Sequence, residues 1–208
     1  MVRHGFNDRI EGGYRKGEER RAKIIFAARD LLINSGYHNF SLRRVAQSAG
    51  ISVGNLQYYF PTKQSLTTAL LQDVIEEYLE EFEEMRSEGK PEQQFLKIVR
   101  LVFEDLQDRA TTVFFPELWS LANHEPGVTE QLDAMYNRYR EVLAEVIHDI
   151  NPKLTSDQAR KLAVFISASM EGHTMFVGFE KPMANELEDY IAMASAGFLH
   201  LIKKPPIA

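Results

Sequence analysis

The chain has 208 residues, 44% of them hydrophobic and 26% charged, an ordinary globular balance with enough apolar mass for a core. It has no cysteine, which excludes a disulfide framework and a Cys-based zinc site; no signal-peptide-like run opens it and no stretch of about 18 apolar residues suggests a membrane span, so a soluble cytoplasmic protein with no membrane partner is expected. The net charge of −6 is unevenly divided: residues 1–63 hold eleven Lys and Arg against five Asp and Glu, and residues 64–208 hold thirteen against twenty-five, the pattern of a basic nucleic-acid end and an acidic body.

Residues 1–17 are polar, Gly-containing and basic. They read as a disordered basic arm in which Arg3, Arg9, Arg15 and Lys16 can touch phosphates or a minor groove, or as a terminus without a role. A first helix is predicted from about Glu18 to Ser35, with Ile24, Ala28, Leu31 and Leu32 at helical spacing, and Gly36 ends it. Ser41 caps a helix over about 42–49. Gly50 breaks the chain, Ser52 caps a helix over about 53–60, Pro61 stops that helix, and Thr62 caps the next. A long, increasingly acidic helix runs from Lys63 to about Glu88. Helices follow over about 92–109, 112–123 and 128–150. Thr155 and Gln158 form a capping-box pair that opens a helix to about Phe179. A last helix covers about 184–203. No segment reads convincingly as a strand.

The stretch Ser41–Lys63 has the outline of a helix-turn-helix, which places its second helix in the major groove of DNA. Leu42, Val45, Ala46 and Ala49 form the buried stripe of its first helix and leave Arg43 and Arg44 outside. In the second helix Val53, Leu56 and Phe60 face inward. Ser52, Gly54, Asn55, Gln57, Tyr58 and Tyr59 remain on or near the outer face. Asn and Gln bond adenine bidentately, Tyr bonds phosphate or packs on a thymine methyl, and Ser reaches either. Gly54 lets the backbone come close to the duplex. Lys63, at the start of the next helix, and the capping Ser41 are candidate phosphate contacts. The bland alternatives are solvated arginines and packing tyrosines.

The run Phe40-Ser41-Leu42-Arg43-Arg44-Val45-Ala46, then Ala49-Gly50-Ile51-Ser52-Val53-Gly54-Asn55-Leu56, then Tyr59-Phe60-Pro61-Thr62-Lys63 and Leu66, resembles the N-terminal domain of TetR-family transcriptional regulators over about residues 18–70. The resemblance implies an all-α fold of about nine helices. Three form a helix-turn-helix DNA-binding domain (18–62), and the others form an effector-binding and dimerisation domain (63–208). It also implies a homodimer that usually represses and leaves a palindromic double-stranded DNA operator when a small molecule binds. Gln57 stands where many members have tyrosine, and Tyr59 where many have histidine, so a glutamine is placed to read a base.

The body has no motif of comparable strength. Phe114, Trp119, Tyr136 and Tyr139 give it a dense aromatic region, and with Phe103, Met170 and His173 they are candidates to line a ligand cavity; ordinary core is the other reading. The helix 158–179 is apolar on two sides, which suggests burial inside the subunit on one and against a twin on the other. With the helix 184–203 it would make a four-helix dimer interface. Glu171 and His173 are its polar members, able to orient a ligand, to bond across a dimer or, for Glu171, to face water. At i, i+2 they point apart and are no metal pair. An all-helical enzyme using Glu171 with His173 or His124 as acid and base is the competing class. No nucleophile elbow, phosphate loop, metal-ligand cluster or cofactor motif supports it. An activator or a ligand-independent repressor would share the same head.

Overall fold

The computed structural model describes residues 15–206. Arg3 and Arg9 of the expected basic arm lie outside them. Among the described residues every regular element is helical: α1 (Arg15–Ser35), a 3-10 turn (Tyr37–Asn39), α2 (Leu42–Ser48), α3 (Val53–Tyr59), α4 (Lys63–Arg86), α5 (Pro91–Asp105), α6 (Arg109–Ala122), α7 (Pro126–Ile150), α8 (Ser156–Gly172), the four-residue α9 (Thr174–Val177), a second 3-10 turn (Ala184–Glu186) and α10 (Leu187–Lys203). The expected all-α class with about nine helices holds, α9 being a single extra turn.

The chain divides into two compact units. The first combines Val2–Val74 with Val113–Asp133, so it joins α1–α3 and the start of α4 to the end of α6 and the start of α7. Its core is built from Ile24, Ala28 and Leu32 of α1, Val45, Ala46 and Ala49 at α2, Leu56 and Phe60 at α3, and Leu66 and Leu70 of α4, all nearly inaccessible. Three hydroxyl caps set the helix starts. Ser41 accepts the Arg44 N–H at 3.3 Å and Ser52 the Asn55 N–H at 3.1 Å. Thr62 and Ser65 cap reciprocally at 3.0 and 3.1 Å. After α2 the Gly50 N–H bonds the Gln47 carbonyl and the Ile51 N–H bonds the Ala46 carbonyl, a Schellman closure. It needs a left-handed residue, and Gly50 supplies it at φ 66°. Two expected core positions are looser. Leu42 is half-buried and Val53 is exposed, because each opens its helix at the rim of the core.

The second unit holds Ile75–Thr112 and Ala134–Ala208. Phe95, Ile98, Val99, Val102 and Phe103 make the buried stripe of α5. Ile191, Phe198 and Ile202 are the buried positions of α10. The pairs Arg100–Glu188 at 2.9 Å and Lys203–Glu92 at 2.8 Å show that α5 and α10 run antiparallel. The Thr155–Gln158 capping box opens α8 as expected, with bonds of 2.8 and 3.2 Å. The predicted helix to Phe179 is interrupted, however: α8 stops at Gly172 and restarts at Thr174 for one turn. The α5–α6 turn holds the chain where it leaves α9. The Phe179 N–H bonds the Leu106 carbonyl at 2.8 Å and the Thr112 hydroxyl at 3.2 Å, and Gln107 donates to the Val177 carbonyl at 2.8 Å. Gly178 fits there because a Cβ would sit 2.7 Å from the Thr174 carbonyl oxygen. No helix among the described residues is long and apolar enough to cross a membrane.

Candidate functional site

The first unit presents one polar face. On α3 only Leu56 is buried, while Ser52, Gly54, Asn55, Gln57 and Tyr58 are exposed, Tyr58 to 81%. Tyr59 is half-buried and meets the Tyr58 ring edge-on at 5.1 Å, so it braces Tyr58. A Cβ at Gly54 would meet nothing within 4 Å, so the absence of a side chain there serves no packing inside the protein. Ser41, Arg43 and Arg44 lie exposed at the start of α2. The Arg44 guanidinium is tied to the Asn39 side chain at 2.7 Å.

Lys63 is held more closely than sequence spacing suggests. Its ammonium lies 3.4 Å from the centre of the Tyr37 ring and 5.7 Å from that of Phe40, a cation–π contact. The Tyr37 hydroxyl donates to the Glu125 carboxylate, 2.9 and 3.0 Å from its two oxygens, and the Tyr37 N–H donates to Glu117 at 3.0 Å. Burial lowers the lysine's pKa and the Glu125 charge works against that shift. For the Tyr37 phenol, burial leads and Glu125 adds to a strong upward shift. Tyr37, Glu117 and Glu125 escape sequence reasoning: Tyr37 sits in a 3-10 turn without helical periodicity, and its partners come from about 80 residues further on.

The expected ligand residues fall into both units. Phe114 and Trp119 belong to the first, where Phe115 contacts both rings, at 5.4 and 6.4 Å. Phe103, Tyr136, Tyr139, Met170 and His173 belong to the second. There His173 is committed locally. Its Nδ1 lies 2.6 Å from the Ser169 carbonyl, and its ring meets Phe103 at 4.9 Å and Tyr190 at 5.7 Å. Phe103 and Met170 are fully buried.

Glu171 is half-buried, with its carboxyl turned towards protein groups. Its carboxyl is enclosed, with a hydrogen bond from Tyr136 and the Arg140 charge nearby; burial outweighs both and raises its pKa to about 7. Arg140 lies over the Tyr136 ring at 5.0 Å, and its Nε donates to the buried Ser167 hydroxyl at 3.1 Å. Tyr139, 6% exposed, faces the charges of Glu171 and Arg140 with a buried hydroxyl that has no hydrogen-bond partner. Tyr78, Arg140 and Ser167 join this polar cluster without having been singled out. Tyr78 lies within an acidic helix and Arg140 within a charged one, and composition there reads as solvated surface. No metal-holding group of His, Cys, Asp and Glu occurs among the described residues.

One further face of the second unit is apolar and open. Val164 and Phe165 on α8, Met175 and Phe176 on α9, and Met193 on α10 are 47–66% exposed. Exposed Ala168, Gly172, Ala196 and Gly197 occur on the same two long helices.

Comparison with known proteins agrees with this architecture. The family described as bacterial regulatory proteins, tetR family, matches residues 24–70. The family described as BetI-type transcriptional repressor, C-terminal, matches residues 91–200. The transcriptional regulator RutR of Escherichia coli (strain K12) is 31% identical over 101 residues, 48% of this chain and 48% of its own length, so the chain spans about half of that relative. The regulator BetI of Stenotrophomonas maltophilia (strain R551-3) is 26% identical over 163 residues, 76% of this chain and 82% of its own. GusR of Salmonella enterica shares the fold, with a TM-score of 0.75 and 20% identity over 89% of this chain and 96% of its own.

Proposed function

The chain belongs to the TetR family of bacterial regulatory proteins, and on that premise we propose that it is a cytoplasmic, homodimeric transcriptional repressor that binds a palindromic DNA operator and leaves it when a small molecule occupies the body. The observation that supports this most is the polar face of α3, laid over a single buried Leu56 and fixed by the Ser52 cap. In this reading Asn55 and Gln57 read base edges. Ser52, Tyr58 and Tyr59 serve phosphates or thymine methyls. Ser41, Arg43, Arg44 and Lys63 serve the backbone, and Gly54 gives the duplex room.

Two features of the second unit support the rest. Its exposed Phe165, Phe176 and Met193 form a face that water penalises, with small residues that let a twin come close. Burying the Tyr139 hydroxyl unpaired costs about 1–3 kcal/mol. A small molecule that bonds it, beside Glu171 and among Tyr136, Phe103 and Met170, would recover part of that. Ligand binding then shifts the dimer towards a state whose heads miss half-sites about 34–36 Å apart.

Selection of duplexes from random DNA, with and without candidate ligands, tests the proposal. Enrichment of a palindrome that ligand abolishes supports it. Enrichment that ligand strengthens or leaves unchanged replaces it with an activator or a constitutive repressor. No enrichment refutes it.

A further inference from the structure

Lys63 has two competing claims on it. Its place at the first residue of α4 suits a phosphate, and the proposed function assigns it one. Yet its ammonium already has a partner within the protein. It lies 3.4 Å above the Tyr37 ring, and the hydroxyl of that same ring is bonded to both oxygens of Glu125. A phenol that donates to a carboxylate has a more electron-rich ring, so Glu125 strengthens the ring's hold on the cation as well as attracting it directly. All three residues lie within the first unit, so the contact is internal to one compact body.

We propose that Lys63 is a two-station cation: without DNA it rests on Tyr37 under Glu125, operator binding transfers it to a backbone phosphate, and Tyr37 and Glu125 thereby set operator affinity through the lysine they hold. They are positioning residues for DNA binding and touch no nucleotide themselves. The inference rests on the assignment of Lys63 to a phosphate. Its consequence is specific: part of the attraction between Lys63 and DNA is spent on leaving the first station, and weakening that station raises affinity.

The experiment is a double-mutant cycle on operator binding, read by fluorescence anisotropy with a duplex obtained from the selection above. Lys63→Met weakens binding. Glu125→Gln tightens it by about three- to tenfold, the range of a partly exposed charge contact. With Lys63→Met already present, Glu125→Gln changes affinity by less than about twofold, since no lysine remains to release. The same tightening in both backgrounds means that Glu125 simply repels DNA, and it overturns the proposal. So does weaker binding by Glu125→Gln alone.

A second readout needs no stable variant. In wild-type protein the Lys63 ε-methylene protons resonate upfield under the Tyr37 ring current, and they return to ordinary positions in the operator complex. Resonances that stay upfield in the complex refute the transfer. If wild-type protein selects no duplex at all, the DNA-binding assignment fails instead, a result distinct from a failed cycle on an operator that binds.

Discussion

Replacing Glu171 with glutamine is expected to stabilise the folded protein at neutral and alkaline pH and to change it little in mild acid. The carboxyl is enclosed beside Tyr136, Tyr139 and Arg140, and its pKa rises from 4.5 to about 7 on folding, chiefly through burial. A folded-state acid that keeps its proton to higher pH than the unfolded chain opposes folding once the unfolded carboxyl ionises. Stability from this group is therefore present below about pH 4.5, declines as the pH climbs towards 7, and is absent above that. At 1.36 kcal/mol per pKa unit the full effect is about 3 kcal/mol. Glutamine keeps an oxygen for Tyr136 to donate to and has no charge to bury. The assay is urea unfolding of both proteins from pH 5 to 8.5 at one fixed protein concentration, because the proposed dimerisation would make stability depend on concentration. Every other titrating group is common to both and cancels in the difference. The variant should exceed wild type by under about 1 kcal/mol at pH 5 and by about 3 kcal/mol at pH 8. A gap that does not change with pH, or a wild type that gains on the variant as pH rises, would refute the reasoning.

Other outcomes follow from the head and the open face. Gln57→Ala should relax selectivity at one base position, costing roughly 1–3 kcal/mol there; if affinity falls uniformly over all sequences, the residue contacts phosphate and not a base. Gly54→Ala has open space for its Cβ and should raise the melting temperature slightly, by up to about 1 kcal/mol of helix propensity. It should also weaken operator binding, and unchanged binding would remove the close-approach role. Phe165 and Phe176 are 55% and 66% exposed, so Phe165→Ser with Phe176→Ser should leave the helical circular dichroism intact. In sedimentation the species should shift towards monomer, and an unchanged dimer would place the interface elsewhere.

The head was legible because its signals are local. Ser41, Gly50, Ser52, Pro61 and Thr62 each act within one turn of chain, and each marks a boundary at or next to its residue. Buried positions followed period 3.6 wherever a helix had a single apolar side, as in Phe95, Ile98, Val99 and Val102 of α5. Distant partners were not legible. Nothing near Tyr37 announces Glu125, and nothing near Arg140 announces Ser167. The break between α8 and α9 is not legible either, because the apolar periodicity runs on to Phe179; the bonds of the α5–α6 turn hold Val177 and Phe179, beyond the break. Glu171 and His173 stand out in the sequence as polar residues of an apolar stretch. Their surroundings, a tyrosine and arginine cluster for one and a carbonyl with two rings for the other, depend on packing.

The junction at Gly178 has a kinetic meaning. The Thr112 hydroxyl donates to the Leu106 carbonyl at 2.8 Å and accepts the Phe179 N–H, while Gln107 holds the Val177 carbonyl. Segments some 70 residues apart in sequence are thus sewn together by groups that no helix satisfies. Separating the two segments breaks all of the bonds between them together, so the α5–α6 turn and the exit from α9 are expected to open as one unit. The Phe179 amide, although outside any helix, is therefore expected to exchange its hydrogen slowly, at a rate that reports how often the two turns separate.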